Sequence, residues 1–138
     1  NISFKTADIM KMDNKLLNYC DSLSCLHAIE HFGLGRYNDP IKFDGYLDGL
    51  DSMHKILKRG GKFFLSVPIG IQRVEFNAHR VFSVRYLLRL FKDKYTIDYF
   101  SFVDDKGDLH KNIDMKRGDI DKNFDCHYGC AIFEMTKL

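Results

Sequence analysis

Three titratable side chains, His27, Glu30 and His31, lie within five positions of one another. They follow a short apolar run, Ser22 to Leu26, and they precede the flexible segment Gly33-Leu-Gly35. An apolar strand that ends in titratable groups and then in glycines is how open α/β sheets present chemistry at the carboxyl edge of their strands. The pattern therefore predicts that this stretch forms a site at such an edge.

The same stretch, His27-Ala-Ile-Glu30-His31, matches the H-x-x-E-H pattern of inverted zinc peptidases. Those enzymes need both histidines on one face of a helix, with the glutamate as general base. Here the segment leaves a strand and enters glycines, so a metal-dependent hydrolase is kept only as an alternative. A milder alternative is a divalent ion at this turn, where imidazole favours zinc, iron or manganese over magnesium. The main expectation is that no metal binds at this turn. The plainer alternative for Glu30 and His31 is that they are structural groups.

A second polar cluster, Asn77, His79 and Arg80, lies between a predicted strand and a predicted helix. Loops in that position line acceptor pockets in open sheets. His79 is a candidate general base because the unperturbed pKa of imidazole is near neutrality. Arg80 is a candidate for holding a phosphate or a carboxylate. The alternative for Arg80 is a structural pairing that holds the loop.

Composition and charge narrow the class of protein. A chain of 138 residues that is 45% hydrophobic and 14% aromatic is typical of one folded globular domain with a substantial core. A formal net charge of +2 argues against a dedicated nucleic-acid surface. No apolar run has the length of a membrane span and no signal peptide is recognised, so the cytoplasm is the expected location.

The four cysteines, Cys20, Cys25, Cys126 and Cys130, are expected to be free thiols, most of them buried. Cys126 and Cys130 come closest to a metal-binding spacing. In a strand, however, residues four apart lie about 13 Å from each other, which is too far for one zinc ion.

Hydrophobic periodicity predicts the elements that would position the polar groups. Predicted strands are 2–8, 21–26, 62–67, 95–103 and 126–135, and predicted helices are 44–58 and 84–92. Asp44 and Ser83 are the expected N-caps, and Gly60-Gly61 is the expected end of the first helix. The charged segment 104–125 is expected to be a long loop or a hairpin.

The alternation of strands and helices predicts an α/β fold with a mostly parallel sheet and helices on its faces. The last two strands have no helix between them, so they are expected to be an antiparallel pair. Residues 1–138 are treated as one domain.

In this order and spacing, the motifs make the chain resemble the C-terminal two-thirds of the class I S-adenosylmethionine-dependent methyltransferases, over nearly its whole length. The stretches that carry the resemblance are Ala7-Asp8-Ile9, Asp21 to Cys25, Leu26 to Phe32, Leu57 to Pro68, and His79 to Ser83 with Leu87-Leu88. More narrowly, Glu30 to Tyr37 and Phe76 to Arg80 resemble an uncharacterised methyltransferase-like family, some members of which are tied to surface-sugar synthesis.

The resemblance implies a Rossmann-like fold that uses S-adenosylmethionine to methylate a small polar acceptor, such as a sugar hydroxyl. Asp8, Ile9 and His27 would be on the cofactor side. The implied catalytic residues are His31 and His79, and the implied substrate-binding residues are Glu30, Asn77 and Arg80.

The family's glycine-rich loop after its first strand, and the acid that ends its second, are not found in these 138 residues. We therefore expect the N-terminal glycine-rich strand–loop–helix unit to be missing from this partial domain, and methyl transfer is expected only if that missing part is supplied. The rival hypothesis is a non-catalytic Rossmann-like binding or scaffold module. The expected partner is a small molecule, such as a sugar or sugar nucleotide, with no nucleic acid and no membrane span; a homodimer is an open alternative.

Overall fold

The computed structural model describes residues 2–75, 77–116 and 118–138. These residues form seven strands, two α-helices and three 3₁₀ segments. The strands are β1 (Cys20–Leu26), β2 (Leu57–Ile69), β3 (Arg73–Glu75), β4 (His79–Val81), β5 (Tyr95–Val103), β6 (Leu109–His110) and β7 (Gly129–Lys137). The helices are α1 (Gly45–Ile56) and α2 (Val84–Phe91), and the 3₁₀ segments are Asn14–Leu16, Ile29–His31 and Gly118–Asp125.

The main sheet has five strands in the order β1-β2-β7-β5-β6, and β3 and β4 form a separate two-stranded ribbon. Only β1 and β2 pair in parallel, while the other neighbours in the main sheet are antiparallel. The fold is therefore α/β, as predicted, but the prediction of a mostly parallel sheet is wrong. The reason is β7, which returns without a helix and inserts between β2 and β5.

The predicted antiparallel pairing of the last two long strands is confirmed, with Tyr95 opposite Lys137 and Val103 opposite Cys130. Because β7 is antiparallel to both of its neighbours, β1, β2 and β5 all run in one direction. Their carboxyl ends therefore lie at a common edge of the sheet. The start of β7 lies at the same edge.

One face of the sheet carries the hydrophobic core. Ala131, Phe133 and Met135 alternate along β7 and are fully buried, and the Phe133 ring contacts Phe91 of α2 at 5.3 Å between centroids. On the opposite face, Leu26, Tyr99 and Ile132 are exposed. The expectation that helices cover both faces is therefore not met in the described part of the chain.

The two predicted N-caps have different outcomes. Ser83 caps α2 as predicted, since its Oγ accepts a hydrogen bond from the Tyr86 backbone N–H at 3.3 Å. Asp44 precedes α1 but makes no side-chain capping bond; it pairs instead with Lys42 at 3.7 Å. The end of α1 also differs, because β2 begins directly at Leu57 and includes the two glycines.

The segment 2–8 is not a strand, contrary to the prediction. Its alternation of apolar and polar residues is real, but no strand pairs with it among the described residues, and Ile2 and Phe4 are exposed. A strand is stabilised by ladder hydrogen bonds to a neighbour, which an alternating sequence alone does not provide. Across the described residues, no helix combines the length and hydrophobicity needed to cross a membrane.

Candidate functional site

A cleft of about 620 Å³ opens at the carboxyl end of β1. It is bordered by the N-terminal segment, the turn that follows β1 and the loop before α1. Its lining residues are Thr6, Ala7, Asp8, Ile9, Met10, His27, Ala28, His31, Phe32, Tyr37, Asn38, Asp39 and Pro40. The structure thus brings together four sequence-predicted site residues, Asp8, Ile9, His27 and His31.

His27 turns the chain out of β1. Its φ of 47° lies in the left-handed region, which few residues other than glycine adopt, and its N–H donates to the Ser66 carbonyl at 3.0 Å. The imidazole therefore lies at the sheet edge, with Nε2 3.1 Å from Cys130 Sγ and Nδ1 3.3 Å from Glu30 Oε1. Such backbone conformations are often found at functional sites.

Glu30 is the buried centre of this edge, with only 2% of its side chain exposed. Its Oε1 lies between two imidazoles, 3.3 Å from His27 Nδ1 and 3.8 Å from His31 Nε2. Its Oε2 has no hydrogen-bond partner among the described residues. Glu30 therefore lies within reach of the His27 Nδ1–H but only near the His31 ring, and it does not line the cleft.

His31 and His79, the two predicted catalytic residues, are neighbours. His31 Nδ1 lies 2.7 Å from the Ala78 carbonyl oxygen, so Nδ1 carries the proton and Nε2 faces Glu30. The His79 ring is 6.2 Å from the His31 ring and 5.1 Å from Tyr128. Burial, helped by nearby His31, lowers the pKa of His79, which keeps the ring neutral at pH 7.

Asn77 and Arg80, both predicted to bind substrate, lie apart from the cleft lining. Asn77 is exposed, with a φ of 51°, and residue 76 of the same motif lies outside the described residues. Arg80 is 4% exposed and donates to the carbonyls of Glu30, Phe32 and Phe43 at 3.3, 2.6 and 2.9 Å. This is the structural alternative considered above, with carbonyls in place of an acid.

The loop that follows His31 is shaped by a carboxylate and a glycine. Asp39 accepts hydrogen bonds from the backbone N–H groups of Gly33 at 2.9 Å and Tyr37 at 3.1 Å. Burial acts to raise the pKa of Asp39, but the backbone N–H groups lower it below its usual value. The cleft rim therefore carries a fixed negative charge.

We expect Gly33→Ala to destabilise the protein by about 3 kcal/mol and Gly60→Ala by about 1 kcal/mol. Both glycines have positive φ, at 74° and 76°. A Cβ at Gly33 would overlap the Lys42 carbonyl oxygen, whereas a Cβ at Gly60 meets nothing within 4 Å. Urea unfolding of the two variants measures the difference, and equal losses would show that the loop packing is not as described.

Sequence reasoning missed Cys130 and the aromatic residues Tyr37 and Tyr128. Cys130 is 103 positions from His27 and meets it only because β7 lies beside β2, with Cys130 opposite Pro68. The sequence gives no signal for that insertion. Tyr37, whose ring lies 5.5 Å from His31, follows the Gly33-Leu-Gly35 segment and could have been noted there.

The histidines of the H-x-x-E-H pattern do not share a helix face. His27 directly follows β1, His31 ends a 3₁₀ turn, and both approach the same oxygen of Glu30. Within residues 2–75, 77–116 and 118–138, no group of three or more His, Cys, Asp or Glu side chains is arranged to hold a metal ion. All four cysteines are free thiols, and Cys25 and Cys126 are buried.

The geometry thus defines an α/β domain with a mixed sheet and a cleft at the carboxyl edge of its parallel pair. Residues 2–130 match a family described as "Caenorhabditis protein of unknown function, DUF268". Because the match covers most of the chain, the chain belongs to this family. No curated protein matches the chain.

Proposed function

We propose that this chain is a methyltransferase-type, Rossmann-like domain that binds the nucleoside part of S-adenosylmethionine in the cleft at the end of β1. The observation that carries the proposal is that three residues predicted from the sequence lie together in one cleft. Asp8 and Ile9 lie far from His27 in sequence, yet all three line the same cleft. The cleft is at the edge where the resemblance implies a cofactor, and the three residues are those it implies as cofactor-binding.

Strand direction supports this proposal. β1, β2 and β5 run the same way, despite the inserted β7, so their carboxyl ends share the edge that holds the cleft. Open α/β sheets bind ligands outside the carboxyl ends of their strands. A mixed sheet in which β1, β2 and β5 end at the same edge is thus compatible with a Rossmann-like site.

The cleft residues fit the group in chemistry and in size. A volume of about 620 Å³ is within the range of small-molecule sites. Ile9, Phe32 and Pro40 offer apolar walls to a purine, and the Asp8 carboxylate offers an acceptor to its amine. The Asp39 charge and the Tyr37 ring favour a cationic sulfonium.

The chemistry that the cofactor supplies when bound is an electrophilic methyl group. The chain's own contribution is proximity and orientation, which account for much of the barrier reduction in such transfers. His79 is neutral at pH 7, but it does not line the cleft and its Nε2 is buried without a hydrogen-bond partner among the described residues. We therefore propose that His79 supports the neighbouring His31, which does line the cleft, instead of meeting an acceptor hydroxyl itself. The Ala78 carbonyl holds His31 beside His79. A sugar hydroxyl is the acceptor that we propose.

Calorimetric titration of the 138-residue chain with S-adenosylhomocysteine tests the proposal. We expect saturable binding, and we expect Asp8→Asn to weaken it about ten-fold, as for loss of a hydrogen bond to a charged group. Asn keeps an acceptor for the Met10 N–H that Asp8 now bonds at 3.0 Å, so the local turn is preserved. Asp21→Asn is the matched control, because Asp21 is exposed at the opposite end of β1.

Two results would contradict the proposal: no binding heat under any condition, or equal binding by the wild type and Asp8→Asn. Binding that depends on Asp8, with no methyl transfer to any sugar or sugar nucleotide, would instead support the non-catalytic binding module.

A further inference from the structure

We propose that Cys130, His27 and Glu30 form an acyl-accepting triad, in which Cys130 takes an apolar acyl group from a thioester. The methyl-transfer proposal does not use Cys130. The three side chains come from the start of β7, the end of β1 and the adjoining 3₁₀ turn. A nucleophile, a base within hydrogen-bond reach and a third group that orients the base are the signature of activated nucleophiles.

The distances fit these roles. Cys130 Sγ lies 3.1 Å from His27 Nε2, and His27 Nδ1 lies 3.3 Å from Glu30 Oε1. With its proton on Nδ1, His27 turns the Nε2 lone pair toward the thiol. Burial raises the pKa of Cys130, and the Glu30 charge raises it further, so the thiol is protonated at rest and needs the base.

Glu30 gives an independent indication that this edge is a functional site. A carboxylate that is 2% exposed, with one oxygen lacking a partner among the described residues, is costly to bury. Burying it purely for stability has no evident benefit. Beneath an imidazole that must accept a proton, the same charge is useful because it stabilises the imidazolium.

The neighbouring groove indicates what Cys130 would accept. Side chains alternate along a strand, so Cys130 and Ile132 share the open face of β7. Ile132, Phe64 and Leu26 line a groove of about 660 Å³ on that face, and Leu26 directly precedes His27. The reactive pair is therefore next to an open groove whose apolar part suits a hydrocarbon chain, with Ser24, Ser101, Asn112 and Glu134 also in its lining.

The reaction balances without any oxidant. The Sγ–H proton moves to His27 Nε2 as Sγ bonds to the thioester carbonyl carbon. The carbon–sulfur bond of the thioester then breaks, and the leaving thiolate takes the proton from Nε2 and departs as a thiol. The products are S-acyl-Cys130 and a free thiol. His27 is the catalytic base, and Glu30 is a positioning residue.

The test uses octanoyl-N-acetylcysteamine, a small thioester, with the 138-residue chain and peptide mass mapping. Cys20 is the internal control, because it is also free and partly exposed. We expect Cys130 to be acylated at least about a hundred-fold faster than Cys20. His27→Asn, which suits a positive φ, should remove that advantage and leave Cys20 and the urea midpoint unchanged.

Two further measurements separate chemistry from structure. In His27→Gly, added imidazole should restore acylation of Cys130, and the rescue should be about ten-fold weaker when Glu30→Gln is also present. Ile132→Ser, which removes apolar surface without adding a charge, should slow the octanoyl reaction and leave the acetyl thioester unaffected. Equal acylation of Cys20 and Cys130, an unchanged rate in His27→Asn, or no imidazole rescue would each overturn the proposal. None of these results depends on S-adenosylmethionine binding.

Discussion

Replacing Arg80 with methionine is expected to lower the free energy of unfolding by about 4 kcal/mol, because a buried guanidinium that serves three backbone carbonyls is lost. The guanidinium joins the turn after β1 to the start of α1 through the carbonyls of Glu30, Phe32 and Phe43. It also lies over the Tyr46 ring, at 4.6 Å from the centroid. Methionine fills much of the volume but donates nothing.

Urea unfolding followed by circular dichroism measures this loss, since the chain has no tryptophan for fluorescence. The matched control is Arg36→Met. Arg36 is exposed and donates to one carbonyl, that of Ala78, at 3.3 Å, so its loss should cost under about 1 kcal/mol. If the two variants were destabilised equally, Arg80 would not be the residue that holds the site together.

Phe133→Ala is expected to cost about 4 kcal/mol, since it removes a fully buried ring from the central strand and leaves a cavity. Phe133 has no exposed surface, and its ring lies 4.9 Å from Phe100 and 5.3 Å from Phe91. The adjacent residue provides the control. Ile132 is on the open face and 38% exposed, so Ile132→Ala should cost about 1 kcal/mol.

The comparison between these two neighbours tests whether the core lies on one face of the sheet. Equal losses for Phe133→Ala and Ile132→Ala, measured by urea unfolding, would mean that both faces of β7 are packed.

Elements with a strong local signal could be predicted from the sequence. The β-branched and aromatic run 95–103 coincides with β5, and Ser83 caps α2 as its side chain and position predict. The turn after β1 was also recognised, because polar groups and glycines follow an apolar strand there. In each case the deciding interactions are between residues close in sequence.

Features that depend on distant pairing were not predictable in the same way. The alternation in 2–8 is that of a strand, but no described segment supplies the ladder it would need. The place of β7 between β2 and β5 depends on long-range register, such as Val67 opposite Ala131, which no local pattern encodes. The Cys130 contact with His27 follows from that register and was missed with it.

Arg80 shows a different limit of sequence reasoning. Its charge and its place between a strand and a helix are what a substrate-binding residue would have. Residue type alone does not distinguish an arginine buried against backbone carbonyls from one that faces a ligand. Only the fold shows that Arg80 holds backbone segments in place.

The cleft at the carboxyl end of β1 is the place where we propose that a nucleoside cofactor binds. The most direct test is an amide NMR titration of the isotope-labelled chain with S-adenosylhomocysteine. We expect saturable chemical-shift changes concentrated at residues 6–10, 27–32 and 37–40, with the open-face groove at Ser24, Ser101 and Ile132 unaffected. Shifts confined to that groove, or a spectrum that does not change at saturating ligand, would contradict the proposal.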